Sequence, residues 1–348
     1  MSRLPVNCPV PRSTDDAVTL AHGEGGRTMR RLIRDRIVSR LGNTPLVNLS
    51  DAAVLPTMGG SPVMTTDSFV VSPLFFPGGD IGTLAVFGTV NDLVVSGASP
   101  RWIALSMIIE EGLPLALLDR VLDSIVASAR IAEVEIVTGD TKVVPRGAAD
   151  GLFLTTTGLG ELFEPIPTGP ETLKEGDVIL VTGPIGQHGI SILAAREKLG
   201  FDPMPTSDCG SLWNAAQSLR SAGCPVRAMR DATRGGVSAV LHEWTETSDS
   251  TIMINEEAVP VGNEVRGACE LLGLDPLHLA NEGTMLVAVP KEMNQRALQA
   301  LLKVGNCPSA AIIGEVTTRR LAPVVVRRGR SAEIPLEEPQ GAPFPRIC

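Results

Sequence analysis

The strongest constraint on the fold of this 348-residue chain is an alternation of strand-like and helix-like segments that is interrupted once, near the middle. Residues 63–71 and 102–110 have the apolar, β-branched character of strands. Residues 80–96 and 115–130 have the length and apolar content of helices. The stretch 161–170 then breaks the pattern with prolines at 165, 167 and 170. Together with the chain length, this break predicts an α/β protein of two domains.

A second alternation follows the break. It predicts strands at 177–183, 251–255, 285–290, 310–316 and 323–328, and helices at 237–244 and 291–303. From about residue 329 onward the chain carries prolines at 335, 339, 343 and 345. Proline has no backbone N–H and a fixed φ, so this segment is predicted to form an extended arm without helix or regular strand pairing.

Composition excludes several classes of protein. A net charge of −9 is unfavourable for binding nucleic acid, and no apolar run is long enough to span a membrane. The Arg-rich stretch 27–40 has apolar residues at helical spacing, so its arginines are predicted to form a solvated helix face. The six cysteines lack metal-ligand spacing, and the chain is expected to be cytoplasmic with reduced thiols.

Several aspartates lie at the ends of apolar segments and are candidates for binding magnesium with a nucleotide. They are Asp51, Asp67, Asp92 and Asp140. Mg²⁺ takes a few carboxylate oxygens and leaves its other positions to phosphate and water, and Lys142 could then face the phosphate charge. Each Asp could instead cap a helix or form a turn, and spacing alone does not establish that they converge.

Two glycine-rich loops each precede a predicted helix, at residues 22–28 and 231–237. Glycines at a helix N-terminus can leave backbone N–H groups free for an anion, so His22, Arg234 and Gly235 are candidate site residues. An ordinary tight turn explains either loop equally well. Glu282, in the N-E-G sequence before residues 285–290, reads as a turn residue, and no P-loop sequence is present.

The chain ends in G-A-P-F-P-R-I-C, which places Cys348 on the predicted arm. With that ending, the sequences L-A-H-G-E-G-G, T-T-D-S-F-V-V, G-T-V-N-D-L, I-V-T-G-D-T-K, R-D-A-T-R-G-G-V and L-A-N-E-G resemble the HypE family of hydrogenase maturation factors, also called carbamoyl dehydratases. The match runs from about residue 20 to the final cysteine. Glu24 departs from the family, where a small serine is common, and His278 stands where an aromatic residue is common.

The resemblance implies a two-domain fold like that of aminoimidazole ribonucleotide (AIR) synthetase. In that fold the sheet of the N-terminal domain pairs across a homodimer, a C-terminal α/β domain follows, and ATP lies in a cleft beside the aspartate motifs. We divide the chain into a disordered lead (1–19), an N-terminal ATP-binding domain (20–165), a C-terminal domain (166–328) and a flexible tail (329–348).

The resemblance also implies a chemistry for the terminal thiol. In HypE-like proteins this cysteine receives a carbamoyl group from the carbamoyltransferase HypF. ATP then drives dehydration of the carbamoyl group to a thiocyanate, and the cyano group passes to iron on a HypC–HypD complex. A mobile, proline-rich arm suits a thiol that must be loaded at one place and dehydrated at another.

Roles follow for individual residues by the same resemblance. Asp67, Asp92 and Asp140 would hold Mg²⁺ and ATP, with Asp51 as a fourth carboxylate. Glu282 would be the base that takes protons from the carbamoyl nitrogen of Cys348. The resemblance further implies that Lys142 stabilises phosphate charge, that Arg234 and His22 line the site, and that Gly235 contacts the nucleotide.

Two alternatives remain open from the sequence. Another enzyme of the same fold is one, but a selenophosphate synthetase would need a reactive Cys with a Lys in the loop at residues 22–25, and a purine-pathway synthetase has no use for Cys348. The other is a carrier that only transports a modified thiol. ATP hydrolysis that depends on a carbamoylated Cys348 separates an enzyme from that carrier.

Overall fold

The computed structural model describes residues 16–42, 44–47, 49–329 and 332–339. Its N-terminal half opens with a 3-10 turn at Leu20–Gly23 and a helical segment composed of α1 (Arg27–Leu32), a π-helical turn (Ile33–Val38), α2 (Ser39–Leu41) and α3 (Thr44–Val47). The strands are β1 (Pro62–Phe69), β2 (Phe75–Phe76), β3 (Gly79–Asp80), β4 (Ala98–Glu110), β5 (Glu135–Val144) and β6 (Leu152–Leu162). The two long helices are α4 (Ile81–Val95) and α5 (Leu115–Ile131), which confirms both helices predicted there.

The main sheet of this half has the strand order β1-β6-β4-β5, in which β4 and β5 are parallel and the other neighbours are antiparallel. Burial alternates along β4 and β6, as expected for a sheet with one covered face. The inner face packs against α4, and the outer face carries partly exposed side chains such as Met64 and Ile108. Among the described residues, apolar side chains of this outer face therefore remain exposed to solvent in part.

Helix α4 is the centre of the molecule. Thirteen of its residues are buried, because it lies between the sheet on one side and β8 and α7 of the C-terminal half on the other. A helix that is apolar all round is expected in such a position. Its N-cap is Asp80, whose carboxylate accepts hydrogen bonds from the N–H groups of Gly82 and Thr83 at 2.7 and 3.1 Å.

The C-terminal half is built on a seven-stranded sheet with the order β13-β12-β9-β11-β7-β10-β8. Its strands are β7 (Val178–Val181), β8 (Ala228–Asp231), β9 (Thr251–Asn255), β10 (Met285–Val289), β11 (Ala311–Thr317), β12 (Val324–Arg328) and β13 (Ala332–Pro335). Its helices are α6 (Gln187–Glu197), α7 (Trp213–Ser221), α8 (Gly236–Ser248), α9 (Asn263–Leu272) and α10 (Asn294–Leu302). Within the described ranges, none of the helices is both long and apolar enough to cross a lipid bilayer.

Two predictions need correction. The arginines of residues 27–40 do not all face solvent, because Arg40 pairs with Asp123 of α5 at 2.8 Å and Arg36 pairs with Asp119 of the same helix. The extended arm does not begin at residue 329, because β13 pairs antiparallel with β12. Pro335 is tolerated although proline has no backbone N–H, because it ends β13, the edge strand of the described sheet, where no such donor is needed for a further neighbour. The disordered lead and Cys8 lie largely or wholly outside the described residues.

Candidate functional site

Two carboxylates of the N-terminal half lie together on the inner side of the sheet. Asp67 of β1 is paired with Thr156 of β6, a buried residue, and its side chain hydrogen-bonds to Asp92 in the last turns of α4. Asp92 also accepts a hydrogen bond from the hydroxyl of Thr65 at 2.8 Å. Burial, followed by the negative charge of Asp92, raises the pKa of Asp67 to about 6, and Arg234 opposes that rise.

The C-terminal half adds a third carboxylate at the end of a strand. Asp231 is the last residue of β8, and only 7% of it is exposed. Burial raises its pKa to about 6, with a further contribution from the charge of Asp92 and a smaller one from Asp67, while Arg230 acts in the opposite direction. Carboxylates of both halves therefore interact across the interface that α4 forms with β8.

Glu282 completes this acidic cluster, which we define as Asp67, Asp92, Asp231 and Glu282. It lies in the loop before β10 and is 5% exposed. Burial raises its pKa well above the usual value for a glutamate, and the charges of Asp231, Asp208 and Asp67 raise it further, while Arg234 lowers it. A carboxyl that holds its proton so firmly is a strong base once it is ionised, which suits a general acid–base role.

The loop D-A-T-R-G-G, residues 231–236, joins β8 to α8 beside this cluster. Gly235 and Gly236 have φ of +74° and +61°, a conformation that favours glycine. A Cβ on Gly236 would lie 2.5 Å from the carbonyl oxygen of Leu279, so a larger residue does not fit. Arg234 is exposed at the same loop, immediately before a 13-residue helix. The N–H of Gly236 donates to the carbonyl of Thr233 at 3.0 Å, so the Arg234 guanidinium is the group of this loop that could bind a phosphate.

Asp140 and Lys142 do not join the acidic cluster within one chain. Both are exposed on β5, which is separated from β1 by β6 and β4. In the sheet register they align with Ser106 and Ile108 of β4, and Ile108 is exposed on the outer face. Asp67 belongs to the opposite, inner face. The structure thus divides the predicted nucleotide ligands between two edges and two faces of one sheet.

His22 and Asp51 are also on the β5 side of the sheet. His22 is buried in the first 3-10 turn, where its Nδ1 lies 3.0 Å from the N–H of Thr19, and this turn contacts β5. Asp51 is exposed, and its neighbours line a cavity of about 350 Å³ between residues 29–53 and β5. The cavity has apolar walls such as Ile33 and Leu105, and Asp140 lies at it.

No group of three or more His, Cys, Asp or Glu side chains in the described part of the chain is arranged to hold a metal ion by itself. The donor chemistry nevertheless fits Mg²⁺ bound together with a nucleotide, which needs only one or two carboxylates from the protein. Burial, followed by the charge of Asp92, raises the pKa of Asp67, and a bound cation would offset both effects by favouring the ionised carboxylate. Asp67 and Asp92 are the two carboxylates of the N-terminal half that could hold this cation.

The chain before Cys348 approaches the same loop. Leu336 is buried, and the carbonyl of Glu337 accepts hydrogen bonds from Ser238 Oγ at 2.9 Å and His278 Nε2 at 3.0 Å. Pro339 then lies against Gly235, where a Cβ would be 3.3 Å from the proline Cγ. We call residues 336–339 the tail anchor. Cys348 itself lies outside the described residues.

Two carboxylates of the site were missed by sequence reasoning. Asp231 is the first residue of the D-A-T-R-G-G motif, and its position in a loop already singled out could have identified it as a site residue. Asp208 lies in the segment between α6 and α7, carries no motif and interacts with Glu282 through its charge. Of the predicted residues, the structure brings Asp67, Asp92 and Glu282 together with Arg234.

Comparison with known proteins finds two matching domain families and closely similar full-length relatives. The family described as AIR synthase related protein, N-terminal domain, matches residues 49–162, and the corresponding C-terminal domain family matches residues 174–326. The carbamoyl dehydratase HypE of Escherichia coli (strain K12) is 45% identical over 336 residues, covering 95% of this chain and 99% of that protein.

Solved structures agree as well. A hydrogenase maturation protein HypE in complex with ATP has a TM-score of 0.90 and 42% identity, over 95% of this chain and 99% of that one. A HypE chain from a HypE–HypF complex has a TM-score of 0.78 and 40% identity, over 88% and 99% of the two chains.

The fold and the paired domains define this chain as an AIR synthase related protein, as the fold prediction stated. The near full-length identity is more specific. The chain belongs to the HypE family of carbamoyl dehydratases.

Proposed function

We propose that this protein is an ATP-dependent carbamoyl dehydratase of [NiFe]-hydrogenase maturation. It would convert an S-carbamoyl group on its own Cys348 into a thiocyanate, with ADP and phosphate as the other products. The observation that carries the proposal is the buried Glu282 among Asp67, Asp92 and Asp231, beside the loop that the tail anchor contacts. Family membership supplies the reaction that this arrangement suits.

The acid–base step uses Glu282. An amide oxygen is a poor leaving group, so the carbonyl oxygen of the carbamoyl group attacks the γ-phosphorus of ATP and ADP departs. The oxygen then leaves as phosphate, the C–O bond breaks, and loss of the nitrogen protons gives the nitrile. Glu282 takes a nitrogen proton, a task for which its raised pKa makes the ionised carboxylate a strong base.

The remaining groups of the site would stabilise the charge that develops on phosphate and keep Glu282 basic. Arg234, exposed on the loop before α8, would face the transferring phosphate, where negative charge develops. Asp67 and Asp92 would hold Mg²⁺, which neutralises phosphate charge when it is bound. Asp231 keeps negative charge beside Glu282 and so keeps that carboxyl basic.

We further propose that the nucleotide lies between two subunits. The cavity of about 350 Å³ beside β5 is of the size and apolar character of a small-molecule site, and Asp51, Asp140, Lys142 and His22 all lie near this edge. A homodimer that packs the exposed outer faces of the sheets would bring β5 of one subunit toward β1 of the other. The base would then occupy the cavity and the phosphates would meet Asp67.

Mixing two inactive variants tests this arrangement. Asp67→Asn and Lys142→Ala would be prepared separately and combined under conditions that exchange subunits. If each site uses both subunits, random mixing restores about a quarter of the wild-type activity, because half the dimers are mixed and one site in each is intact. No recovery, with exchange verified by mass, would contradict a shared site.

The partners follow from the chemistry and from the relatives. HypF would load Cys348, because a relative 40% identical to this chain has been solved in complex with HypF. A HypC–HypD complex would accept the cyano group. A cytoplasmic location suits the four cysteines of the described residues, all of which are unpaired thiols.

The direct experiment is mass spectrometry of the peptide that contains Cys348. The protein is incubated with HypF, carbamoyl phosphate and Mg-ATP, beside a Cys348→Ala control. A carbamoyl adduct that loses one water only when ATP can be hydrolysed supports the dehydratase. An adduct that persists unchanged would make the protein a carrier, and an adduct on the control would exclude Cys348 as the acceptor.

A further inference from the structure

The backbone around Glu282 is held by the segment between α6 and α7. The carboxylate of Asp208 accepts hydrogen bonds from the N–H groups of Glu282 and Gly283, both at 3.0 Å. The N–H of Gly210 donates to the carbonyl of Glu282 at 3.2 Å. These three bonds fix the peptides on both sides of the Glu282 Cα, and therefore the direction in which its side chain leaves the backbone.

The two segments approach so closely that side chains are excluded between them. A Cβ on Gly283 would lie 1.9 Å from the carbonyl oxygen of Asp208. Any other residue at this position would push the segment and the loop apart. The absence of a side chain at Gly283 is therefore required for Asp208 to reach the loop.

The N-terminal half holds the same structure through α4. The side-chain amide of Asn91 donates to the carbonyl of Gly210 at 3.0 Å and lies 3.4 Å from the carbonyl of Glu282. Its oxygen accepts a hydrogen bond from the N–H of Leu212 at 2.8 Å. Asn91 is 1% exposed and all of its polar atoms have partners, so it fixes α4 against the segment and the loop at once.

Asn91 directly precedes Asp92, the carboxylate that faces Asp67. One residue of α4 therefore holds the backbone of the proposed base, and the next contributes to the proposed nucleotide site. A shift of α4 against the C-terminal half would change both contacts together. The contacts define a clamp made of Asn91, Asp208, Gly210 and Gly283.

We propose that Asp208 and Asn91 are positioning residues for the dehydration reaction, which fix the backbone of Glu282 at a set distance from Asp92. This inference rests on the proposed function, in which Glu282 is the base. Neither residue is proposed to touch the carbamoyl group or the nucleotide. Each acts through the Glu282 peptide, so its loss should slow the chemical step and leave ATP binding largely unchanged.

Asp208 has a second effect that Asn91 lacks, because it carries charge. Three charged groups raise the pKa of Glu282, namely Asp231, Asp208 and Asp67, and Arg234 lowers it. On the same segment as Asp208, burial and then the charge of Glu282 raise the pKa of the Cys209 thiol. Removing the Asp208 charge lowers the pKa of Glu282, so its base form persists to lower pH. The two positioning residues can therefore be told apart.

The test compares Asp208→Asn and Asn91→Ala with Asp202→Asn, a matched control that removes an exposed carboxylate from the same segment. Single-turnover conversion of carbamoylated Cys348 is followed against pH, and ATP affinity is measured separately. We expect about a 10- to 100-fold slower reaction for both clamp variants, with ATP affinity retained. The acidic limb should move to lower pH for Asp208→Asn alone, and Asp202→Asn should match the wild type.

Three results would overturn the proposal. They are an unchanged rate in both clamp variants, a rate that falls only in proportion to ATP affinity, and an equal pH shift in Asn91→Ala. If one variant does not fold, the other still decides the effect on the rate. Hydrogen exchange of residues 281–284 serves as a readout besides activity, since loss of Asp208 should expose the amides of Glu282 and Gly283. If the wild-type protein forms no thiocyanate, the proposed function is refuted, and hydrogen exchange becomes the test of the clamp. Normal exchange at the amides of Glu282 and Gly283 in Asp208→Asn would refute the clamp.

Discussion

Releasing the tail anchor should slow delivery of Cys348 to the site by an amount that chain length predicts. The anchor depends on one large apolar side chain, Leu336, and on hydrogen bonds to the carbonyl of Glu337. Burying a leucine contributes about 1.5–3 kcal/mol. A four-residue segment with few other contacts should not remain bound without that contribution. We therefore expect Leu336→Ser to detach residues 336–339, while β13 stays paired with β12.

The magnitude follows from the number of residues between the last attached residue and the thiol. Cys348 lies nine positions after Pro339 and thirteen after Pro335, the last residue of β13. The effective concentration of a tethered group falls roughly as the −3/2 power of the tether length, so detachment should lower it about 1.7-fold. The single-turnover rate of thiocyanate formation should fall by about this factor, and further if the anchor also orients the chain.

The assay measures conversion of pre-carbamoylated Cys348, with ATP binding and limited proteolysis of the tail alongside. Ile334→Ser is the matched control, because Ile334 lies on β13, two residues before Leu336, but is 42% exposed. An unchanged rate in a Leu336→Ser protein whose tail has become protease-sensitive would refute the reasoning. So would an equal loss of rate in the control.

Further predictions follow from the site and the domain interface. Asp231→Asn should raise the melting temperature at pH 7.5 but not at pH 4. The pKa of Asp231 is raised from 3.8 to about 6, so the free energy of unfolding of the wild-type protein falls by up to about 3 kcal/mol as the pH rises through that window, and the variant avoids this loss. Arg234→Gln should move the acidic limb of the dehydration profile to higher pH, because Arg234 lowers the pKa of Glu282; Arg234→Lys should not. In urea unfolding, Gly147→Ala should cost about 1–2 kcal/mol for its positive φ, and Gly78→Ala clearly more, since its Cβ would also lie 2.6 Å from a backbone oxygen.

Sequence patterns predicted the elements that are long or strongly apolar. Helix α4 was predicted in spite of its β-branched residues because its apolar run is too long for a strand, and its burial between the two halves explains that composition. Helices α6, α7 and α9 were missed. Glycines border α6 and its apolar residues do not form a single stripe, because its first half is buried on most sides. Short helices of this kind depend on tertiary packing more than on local preference.

The site was predictable only in part. Asp67 and Asp92 were candidates because they lie at the ends of apolar segments, and resemblance added Glu282 as the base; the structure brings the three together. The positions of Asp140 and Lys142 could not be predicted, because the face on which a strand residue points depends on the register of every strand between it and β1. The pairing of β4 with β5 contains a register shift at residues 103–104, and one such shift exchanges the two faces. Patterns within β5 alone do not reveal it.

The tail anchor is in direct contact with the D-A-T-R-G-G loop, for which we propose phosphate binding, and this has a thermodynamic consequence. Pro339 lies against Gly235, and Ser238 of the helix that follows holds the carbonyl of Glu337. A shift of the loop that improves its hold on phosphate would therefore disturb the anchor. Coupling between two binding events is reciprocal, so an anchor that weakens when ATP binds must itself weaken ATP binding. Because the anchor contacts the loop, the affinity of the Leu336→Ser variant for ATP measures the sign of that coupling. Tighter binding means that the anchored tail and ATP oppose one another.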